Sequence, residues 1–353
     1  MAYTTIDDPG AYFNTVVFTG DVVDGDGTYH DQAVTGVGFQ PDLLWHKGVT
    51  GARPHYIVDS VRGQGGSPTE MIHLSSSNNE AETTTNTNGH IKSLDSDGWT
   101  AVSGNDSSSR ANNSCLNGEE YVGWCWKETA DAGFDIVSYA GNATARTISH
   151  SLSAVPAVML IKNRSATLSW RMYHHKNTAA PETDHLILDT NAATADDDSM
   201  WNDTAPTSSV FSLKTSTSVN GSSAEYIAYL WSEKQGFSKF GSYTGNGNAD
   251  GPFVYLGFKP SFLMTKRTDS TGNWFMFDNK RSTFNEIDGD YLEADLPSAE
   301  VTTSTAVDLD FLSNGFKIRN TSSSYNASGG TYIYMAFAEQ PFVNSNGVPC
   351  NAR

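Results

Sequence analysis

The sequence has few cysteines, few cations and no long apolar run, and each scarcity excludes a class of protein. Three cysteines, Cys115, Cys125 and Cys350, occur in 353 residues, and none belongs to a CxxC motif. An odd and sparse set of thiols argues against a disulfide framework and against a zinc site. It is typical of a protein made in a reducing cytoplasm.

Positive charge is also scarce. The chain contains 22 Lys and Arg against 40 Asp and Glu, a formal net charge of -18. Binding to nucleic acid without sequence preference requires clustered cations that displace counterions from phosphates, and no such cluster occurs. We therefore expect no direct nucleic-acid partner, and an anionic membrane surface would repel this charge.

Long hydrophobic segments are missing. The longest fully apolar run is AVPAVMLI at 154–161, which is far too short to span a bilayer and contains a proline. The opening MAYTTIDDPGAYFN has neither a basic n-region nor an apolar h-region, so it does not resemble a secretory signal. The sequence predicts no membrane insertion.

Ser, Thr, Asn, Gly, Asp and aromatic residues are abundant, whereas strong helix formers are scarce. This composition is typical of short strands joined by many turns. Helical periodicity is confined to two short stretches, near 191–201 and 295–306. The expected fold class is all-β.

One apolar strand recurs. In each of three places a proline precedes an apolar run and a lysine follows six residues later, which indicates an internal repeat. The three pairs are Pro41 with Lys47, Pro156 with Lys162, and Pro260 with Lys266.

Two other landmarks recur with the same period. A closing strand reads YVGWCWKE, YIAYLWSE and YIYMAFAE, and its first residues, Tyr121, Tyr226 and Tyr332, are 105 and 106 residues apart. An opening strand reads YFNTVVFTGD, GFDIVSYAGN and GFSKFGSYTGN. FDIVSY alternates, with Phe134 and Ile136 on one face, whereas the closing strands are continuously apolar, as expected for strands covered on both faces.

Units of about 105 residues with many short strands and regular turns indicate β-sandwiches or jelly rolls. We predict three tandem β-sandwich repeats in a row, joined by short linkers. The predicted boundaries are an N-terminal arm at 1–10, repeat 1 at 11–129, repeat 2 at 130–235, repeat 3 at 236–340 and a C-terminal arm at 341–353.

Repeats 1 and 3 share an Asp–Arg pair after the proline strand, Asp59 with Arg62 and Asp278 with Arg281, which repeat 2 has lost. Trp170 and Trp274 occupy one equivalent position, which His55 fills in repeat 1. The simplest interpretation of these residues and of the recurring lysines is a structural contact within each sandwich.

Several polar segments resemble ligand sites. Asp24, Asp26 and Asp31 could offer oxygens to calcium, but their spacing does not match an EF-hand. An acidic loop is the preferred interpretation, as it is for 196–198 and 288–290. His174 and His175 are adjacent strand residues that face opposite ways and cannot easily share a metal.

Nothing singles out a pair of glycosidase carboxylates or a nucleophile motif. We assign no catalytic, cofactor-binding or metal-ligating residue, expect no cofactor, and expect the protein not to be an enzyme.

The segments TTIDDPGAYFNTVVFTGD, VTGVGFQPDLLWHK, SYTGNGNADGPFVYLGFKPSFLMTKRTDSTGNWFMFDNKR and ASGGTYIYMAFAEQPFVNSNG resemble a repeat in virion proteins of marine tailed bacteriophages. The resemblance spans nearly the whole chain and is strongest in repeat 3. It implies concanavalin-like or jelly-roll sandwiches and supplies no catalytic residues. Repeat 2 departs from the pattern.

The resemblance implies a bacteriophage virion structural protein, a tail fibre or tail appendage that contacts the host surface. Two alternatives stay open: a capsid decoration or head appendage protein, and a lectin-like glycan-binding protein. The expected partners are other virion proteins, further copies of the chain in a homo-oligomer, and a host surface glycan. The expected localisation is the virion, made in the host cytoplasm and released by lysis.

Overall fold

The protein is all-β, with several antiparallel sheets. The structure is a computed structural model that describes residues 3–22, 29–65, 70–83, 88–104, 113–281, 290–302 and 308–350. Within these ranges, no helix is both long and apolar enough to cross a membrane.

Each repeat contributes one large sheet. The strands of repeat 1 are β1 (Phe13–Thr19), β3 (Leu43–Gly48), β4 (Tyr56–Asp59) and β7 (Glu120–Trp126). Those of repeat 2 are β8 (Phe134–Ala140), β10 (Val158–Asn163), β11 (Arg171–His174), β12 (Asp184–Ile187), β13 (Ala195–Asp196) and β15 (Glu225–Trp231). Those of repeat 3 are β16 (Ser238–Thr244), β18 (Phe258–Arg267), β19 (Trp274–Asp278), β20 (Leu292–Glu293) and β23 (Thr331–Pro341).

A second, smaller sheet accompanies each large one. It comprises β2 (Asp31–Thr35), β5 (His90–Asp95) and β6 (Gly98–Val102) in repeat 1, and β9 (Arg146–Ser149) and β14 (Val210–Leu213) in repeat 2. In repeat 3 it comprises β17 (Phe253–Tyr255), β21 (Leu309–Leu312) and β22 (Gly315–Ile318).

The three large sheets share one strand order and one register. In each, the closing strand lies between the opening strand and the proline–lysine strand: β1-β7-β3, β8-β15-β10 and β16-β23-β18. The second residue after each proline pairs with the fifth residue after each closing tyrosine. These pairs are Leu43 with Trp126, Val158 with Trp231, and Phe262 with Phe337.

The two faces of each large sheet enter different cores. Phe134 and Ile136 of β8 point into a core shared by all three repeats, and Tyr139 points into a core local to repeat 2. This split confirms the alternation predicted for FDIVSY. Local cores of the same kind join the large and small sheets of repeats 1 and 3.

The shared core corrects the prediction that the units lie in a row. Phe13 and Trp126 of repeat 1 pack against Phe262 and Phe337 of repeat 3, with Phe13 and Phe337 stacked at 4.9 Å between ring centroids. Trp126 also meets Trp231 of repeat 2. All three repeats therefore surround one apolar centre, and burying aromatic surface there favours a closed arrangement over an extended one.

The helical periodicity near 191–201 is wrong as a helix prediction, because this stretch forms β13 and turns. Residues 295–302 are not helical either, and 303–306 lie outside the described residues. The described α-helices are two single turns, α1 (Thr217–Asn220) and α2 (Ser323–Asn326), which precede the closing strands of repeats 2 and 3. Two 3-10 turns occur at Pro9–Ala11 and Pro181–Thr183. Ser216 and Ser322 cap the α-helical turns through their hydroxyl oxygens, as serine does at a helix start.

The described parts of both predicted arms pack against the body. The Tyr3 hydroxyl donates to the Gly257 carbonyl at 2.8 Å, and Ile6 enters the shared core. The Ser345 amide donates to Asp7 Oδ1 at 2.6 Å. The two terminal segments therefore meet on the side of repeat 3.

Candidate functional site at the junctions between repeats

The three recurring lysines are buried at equivalent positions. Lys47, Lys162 and Lys266 are at most 1 % exposed. Each ammonium donates to the carbonyl of the next residue, at 2.6, 3.0 and 2.9 Å respectively. A buried ammonium requires such acceptors, because an unpaired buried charge is strongly destabilising.

Each lysine also crosses to a neighbouring repeat. Lys162 donates to the Asn79 carbonyl of repeat 1 at 3.2 Å, and Lys266 donates to the Asn191 carbonyl of repeat 2 at 3.3 Å. Lys47 donates to the Pro297 carbonyl of repeat 3 at 3.4 Å. The predicted contact within one sandwich is therefore incomplete, since the same ammonium also joins two repeats.

A backbone bond accompanies each lysine. The carbonyl of the residue two positions after each lysine accepts a backbone hydrogen bond from the neighbouring repeat. The donor is the amide of the residue three positions after the one whose carbonyl binds that lysine. The three bonds are Glu82 to Arg164 at 3.1 Å, Thr194 to Thr268 at 3.0 Å, and Glu300 to Val49 at 2.8 Å. Identical offsets in all three copies make these junctions equivalent.

We name these contacts junction 1–2, junction 2–3 and junction 3–1 after the repeats they join. Junction 1–2 contains Lys162, junction 2–3 contains Lys266, and junction 3–1 contains Lys47. Because junction 3–1 joins repeats that are not consecutive in the chain, the three repeats close into a ring. The arrangement resembles a homotrimer contained within a single chain.

The recurring tryptophan position supplies another contact at each junction. The indole of Trp170 donates to the Ser75 carbonyl at 2.7 Å, and that of Trp274 donates to the Ile187 carbonyl at 3.0 Å. At junction 3–1, His55 Nδ1 accepts from Trp45 Nε1 at 2.8 Å. Its Nε2 therefore carries the proton and donates to the Glu293 carbonyl at 3.0 Å. Histidine thus replaces tryptophan as a donor across the junction.

The Asp–Arg pairs lie at two junctions. Asp59 and Arg62 bind each other with both side chains fully buried, and Tyr229 of repeat 2 donates to Asp59 Oδ2 at 2.7 Å. Asp278 and Arg281 bind at 2.7 Å, and Trp124 Nε1 of repeat 1 donates to Asp278 Oδ2 at 3.1 Å. Tyr229 and Trp124 are both the third residue after a closing tyrosine. Each pair therefore holds the closing strand of a neighbouring repeat.

At junction 2–3 the pair is replaced by His174 and Asn177. His174 Nε2 donates to the Tyr334 carbonyl of repeat 3 at 3.1 Å, since its Nδ1 accepts from the Lys176 amide. Burial and then the adjacent His175 lower the pKa of His174 to about 3, so the ring is neutral. A cavity of about 10 Å³ lies beside His174 against Met335, which is room for about one water molecule.

Electrostatics also differ among the lysines. Burial lowers the pKa of Lys162 and of Lys266 to about 8. Burial and then repulsion from Arg281 lower the pKa of Lys47 to about 7. Lys162 and Lys266 each donate to a third carbonyl, of Leu168 and Gly272 respectively, both at 2.7 Å. Three acceptors match the three ammonium hydrogens and favour the charged form.

Some junction residues carried no signal that was recognised in the sequence. Asp189 and Asp295 accept from the backbone amides of Trp170 and Trp274, at 2.8 and 2.9 Å. They lie 19 and 21 residues after their tryptophans, so only an alignment of repeats 2 and 3 that allows a gap of two residues could have found them. The lysine acceptors are backbone carbonyls, so no side-chain pattern marks Asn79, Asn191 or Pro297.

Two recurring glutamates brace the linkers. Glu128 and Glu233 lie two residues after the ends of their closing strands. Each accepts at 3.0 Å from an amide of the following opening strand, Ile136 and Phe240 respectively. Burial raises the pKa of Glu128 to about 7. Glu339, the third member of the set, forms an ion pair with Lys259.

Two residues of the acidic segments form ion pairs with lysines of their own repeats. Asp31 forms an ion pair with Lys92 and Asp198 forms one with Lys214 at 2.5 Å. Asp24, Asp26 and Asp288 lie outside the described residues. Among the residues that the structure describes, no group of His, Cys, Asp and Glu has the arrangement of a metal site.

His174 and His175 contact different carbonyls, those of Tyr334 at 3.1 Å and Phe240 at 2.6 Å. The expectation that they are adjacent residues of one strand facing opposite ways is wrong, because β11 ends at His174 and the two ring centroids lie 5.6 Å apart. Cys115 and Cys125 are buried free thiols, and burial raises the pKa of Cys115 to about 12. A thiol that stays protonated is a poor nucleophile.

Residues 8–341 match a family described as a domain of unknown function, DUF7483. The chain belongs to the DUF7483 family. No curated protein matches it.

The DUF7483 match covers all three repeats and all three junctions in one span. The family unit therefore corresponds to the closed ring rather than to a single repeat. Within this DUF7483 domain, the recurring lysines and the Asp–Arg pairs bind carbonyls, carboxylates and ring donors of their neighbours. Chemically, the junctions position and rigidify the repeats.

Proposed function

We propose that the chain is a structural protein of a bacteriophage virion, a tail fibre or tail appendage that contacts the host surface. Its fold would be three tandem β-sandwiches, each formed by one large and one small sheet around a local core. The protein would not be an enzyme, would bind other virion proteins and further copies of itself, and would reach the virion by assembly in the host cytoplasm before lysis.

The observation that carries the proposal is the use of the duplicated polar residues. Lys47, Lys162 and Lys266 all hold one repeat to the next. Residues retained at these positions after duplication hold the repeats rigidly together. Such rigidity is useful in a protein exposed on the surface of a particle. The resemblance of the quoted segments to phage virion repeats points to the same class of protein.

Mass spectrometry and cryo-electron microscopy of purified phage particles test the proposal. The expected result is the chain among the particle proteins and a three-lobed density on the tail. Absence of the chain from washed particles would refute a virion role and revive a soluble binding protein or an enzyme.

A capsid decoration protein is the second candidate, and the ring favours it specifically. Three equivalent junctions arrange three similar units about one centre, which suits a docking site of threefold symmetry. Density on the capsid surface at such a site would select this candidate over the tail appendage.

A further inference from the structure

The outer face of the small sheet in repeat 3 carries two exposed aromatic rings. Phe253 is 45 % exposed and Tyr255 is 49 % exposed, and Val254 between them is buried. Alternate residues of a strand share a face, so both rings project outward roughly 7 Å apart. Large exposed apolar side chains in such proximity on one strand face require an explanation.

The other two repeats show that the fold does not require these rings. The small sheets of the three repeats can be aligned on one cross-strand pair, a buried aliphatic residue opposite a buried aromatic residue. These pairs are Val34 with Trp99, Ile148 with Phe211, and Val254 with Phe316. By this alignment, Phe253 and Tyr255 correspond to Ala33 and Thr35 in repeat 1 and to Thr147 and Ser149 in repeat 2. Small residues suffice there, so the aromatic pair is specific to repeat 3.

Hydrogen-bonding groups surround the two rings. Lys317 lies opposite Phe253 in the register and forms an ion pair with Asp250 at 2.6 Å. Gly315 lies opposite Tyr255, so no side chain projects from the strand position beside that ring. Lys239 of β16 places its Nζ 5.4 Å from the centre of the Tyr255 ring.

Tyr3 from the N-terminal segment completes this surface. Its hydroxyl lies 3.3 Å from the Tyr255 hydroxyl while it donates to the Gly257 carbonyl. The result is an apolar centre of two rings with hydroxyl, ammonium and carboxylate groups at its rim.

We propose that Phe253 and Tyr255 form a stacking platform for an uncharged sugar ring of a glycan. A pyranose presents C–H groups on its faces and hydroxyls at its edge, which matches aromatic rings surrounded by hydrogen-bonding groups. An acidic sugar is disfavoured, because Asp250 lies at the rim and the chain has a net charge of -18.

A glycan fits this surface better than a protein partner. A stable protein interface buries on the order of 800 Å² on each side with an apolar centre, whereas two rings within a charged rim offer far less. A single sugar needs only this much area. The inference deepens the proposed contact with the host surface, and its biological role rests on that proposal.

Binding of the purified full-length chain to an array of neutral mono- and oligosaccharides tests the inference. The test variant is Phe253→Thr with Tyr255→Ser, which installs the residues found at the equivalent positions of repeat 2. We expect binding to at least one neutral probe, and about tenfold weaker binding by the variant, the loss expected from removing one or two stacking contacts. Val155→Ser, at another exposed apolar residue, should bind as the parent does.

Two results would overturn the inference. One is that the parent protein binds no neutral sugar probe, and the other is that parent and variant bind the probes equally. Thermal melting of both proteins establishes that a loss of binding is not a loss of fold. Failure here would leave the virion proposal standing, because the presence of the chain in particles is measured independently of any sugar.

Discussion

Junctions 1–2 and 3–1 differ from junction 2–3 in how they fill the same space. The first two bury a complete ion pair whose aspartate also holds a ring donor of the next repeat, Tyr229 or Trp124. The third has a neutral histidine on a backbone carbonyl and a small cavity. Junction 2–3 thus has a neutral donor in place of the ion pair and still closes, so closure of a junction does not require the buried Asp–Arg pair.

Breaking a buried ion pair should have the largest effect. Asp59→Ala leaves the Arg62 guanidinium buried without its carboxylate, which should lower the free energy of unfolding by about 3–5 kcal/mol. Urea unfolding followed by tryptophan fluorescence measures the change. Replacing both residues with their repeat 2 counterparts, Asp59→His with Arg62→Asn, should cost much less. Equal losses in the two variants would contradict the idea that junction 2–3 is a viable alternative.

Removing a shared lysine should have the next largest effect. Lys162→Met leaves the carbonyls of Asn79, Asn163 and Leu168 without their donor, which should cost about 2–4 kcal/mol in unfolding free energy. Lys47→Met should cost less, because that ammonium serves two carbonyls and burial already lowers its pKa to about 7.

Urea unfolding of both lysine variants measures this difference. Lys176→Met is the matched control, since Lys176 is exposed on the same repeat and should change stability little. An equal effect for Lys176→Met and Lys162→Met would remove the special role of the buried lysines.

Acid should destabilise junction 2–3 through His174. The folded pKa of about 3 lies below the ordinary value of 6.5, so the unfolded chain binds more protons between pH 6.5 and 3. Stability from this group is therefore present above pH 6.5 and is lost as the pH falls, by about 2–3 kcal/mol at pH 4.5. His174→Gln should remove that share of the acid sensitivity.

Urea unfolding at pH 7 and 4.5 measures the loss, and His150→Gln, at a partly exposed histidine, serves as the control. Hydrogen exchange at the Thr194 amide, which bonds across junction 2–3, should accelerate in acid before exchange at the Glu82 amide of junction 1–2. Simultaneous opening of the two amides would show that the junctions do not differ in acid stability.

Filling the cavity should give the smallest effect, with the opposite sign. Val158 lines the cavity beside His174, and Val158→Ile adds one methylene, which should raise stability by about 0.5–1 kcal/mol. Val122→Ile makes the same change in the shared core at a fully buried site of repeat 1, where added volume should destabilise. Thermal melting of the two variants compares them directly.

Much of the secondary structure could be predicted, because strands recurred with constant offsets. The positions of Lys47, Lys162 and Lys266 on equivalent strands follow from their prolines, and the loss of the Asp–Arg pair in repeat 2 was visible in the sequence. The shared core was not predicted. Continuous apolar strands such as β15 show that both faces are buried, but they do not specify what covers each face.

The contacts between repeats were hidden for a related reason. A buried lysine shows that acceptors exist, whereas the acceptors themselves are carbonyls that every residue possesses. Whether the carbonyl belongs to the same repeat or to the next depends on how the sheets pack. The equivalence of His174 with Asp59 was likewise obscured, because their side chains satisfy the same junction with different partners.

The meeting of the two terminal segments has a mechanical consequence. Asp7 binds the Ser345 amide, and the Phe342 amide binds the Gly257 carbonyl that also accepts from Tyr3. A pull that separates the two ends therefore loads these few bonds first, and they break in succession rather than together. Tension applied between the ends peels the terminal segments away before it reaches the three junctions. A tether attached at either end would thus leave from the same side of the ring, and the ring would move as one rigid body on that tether.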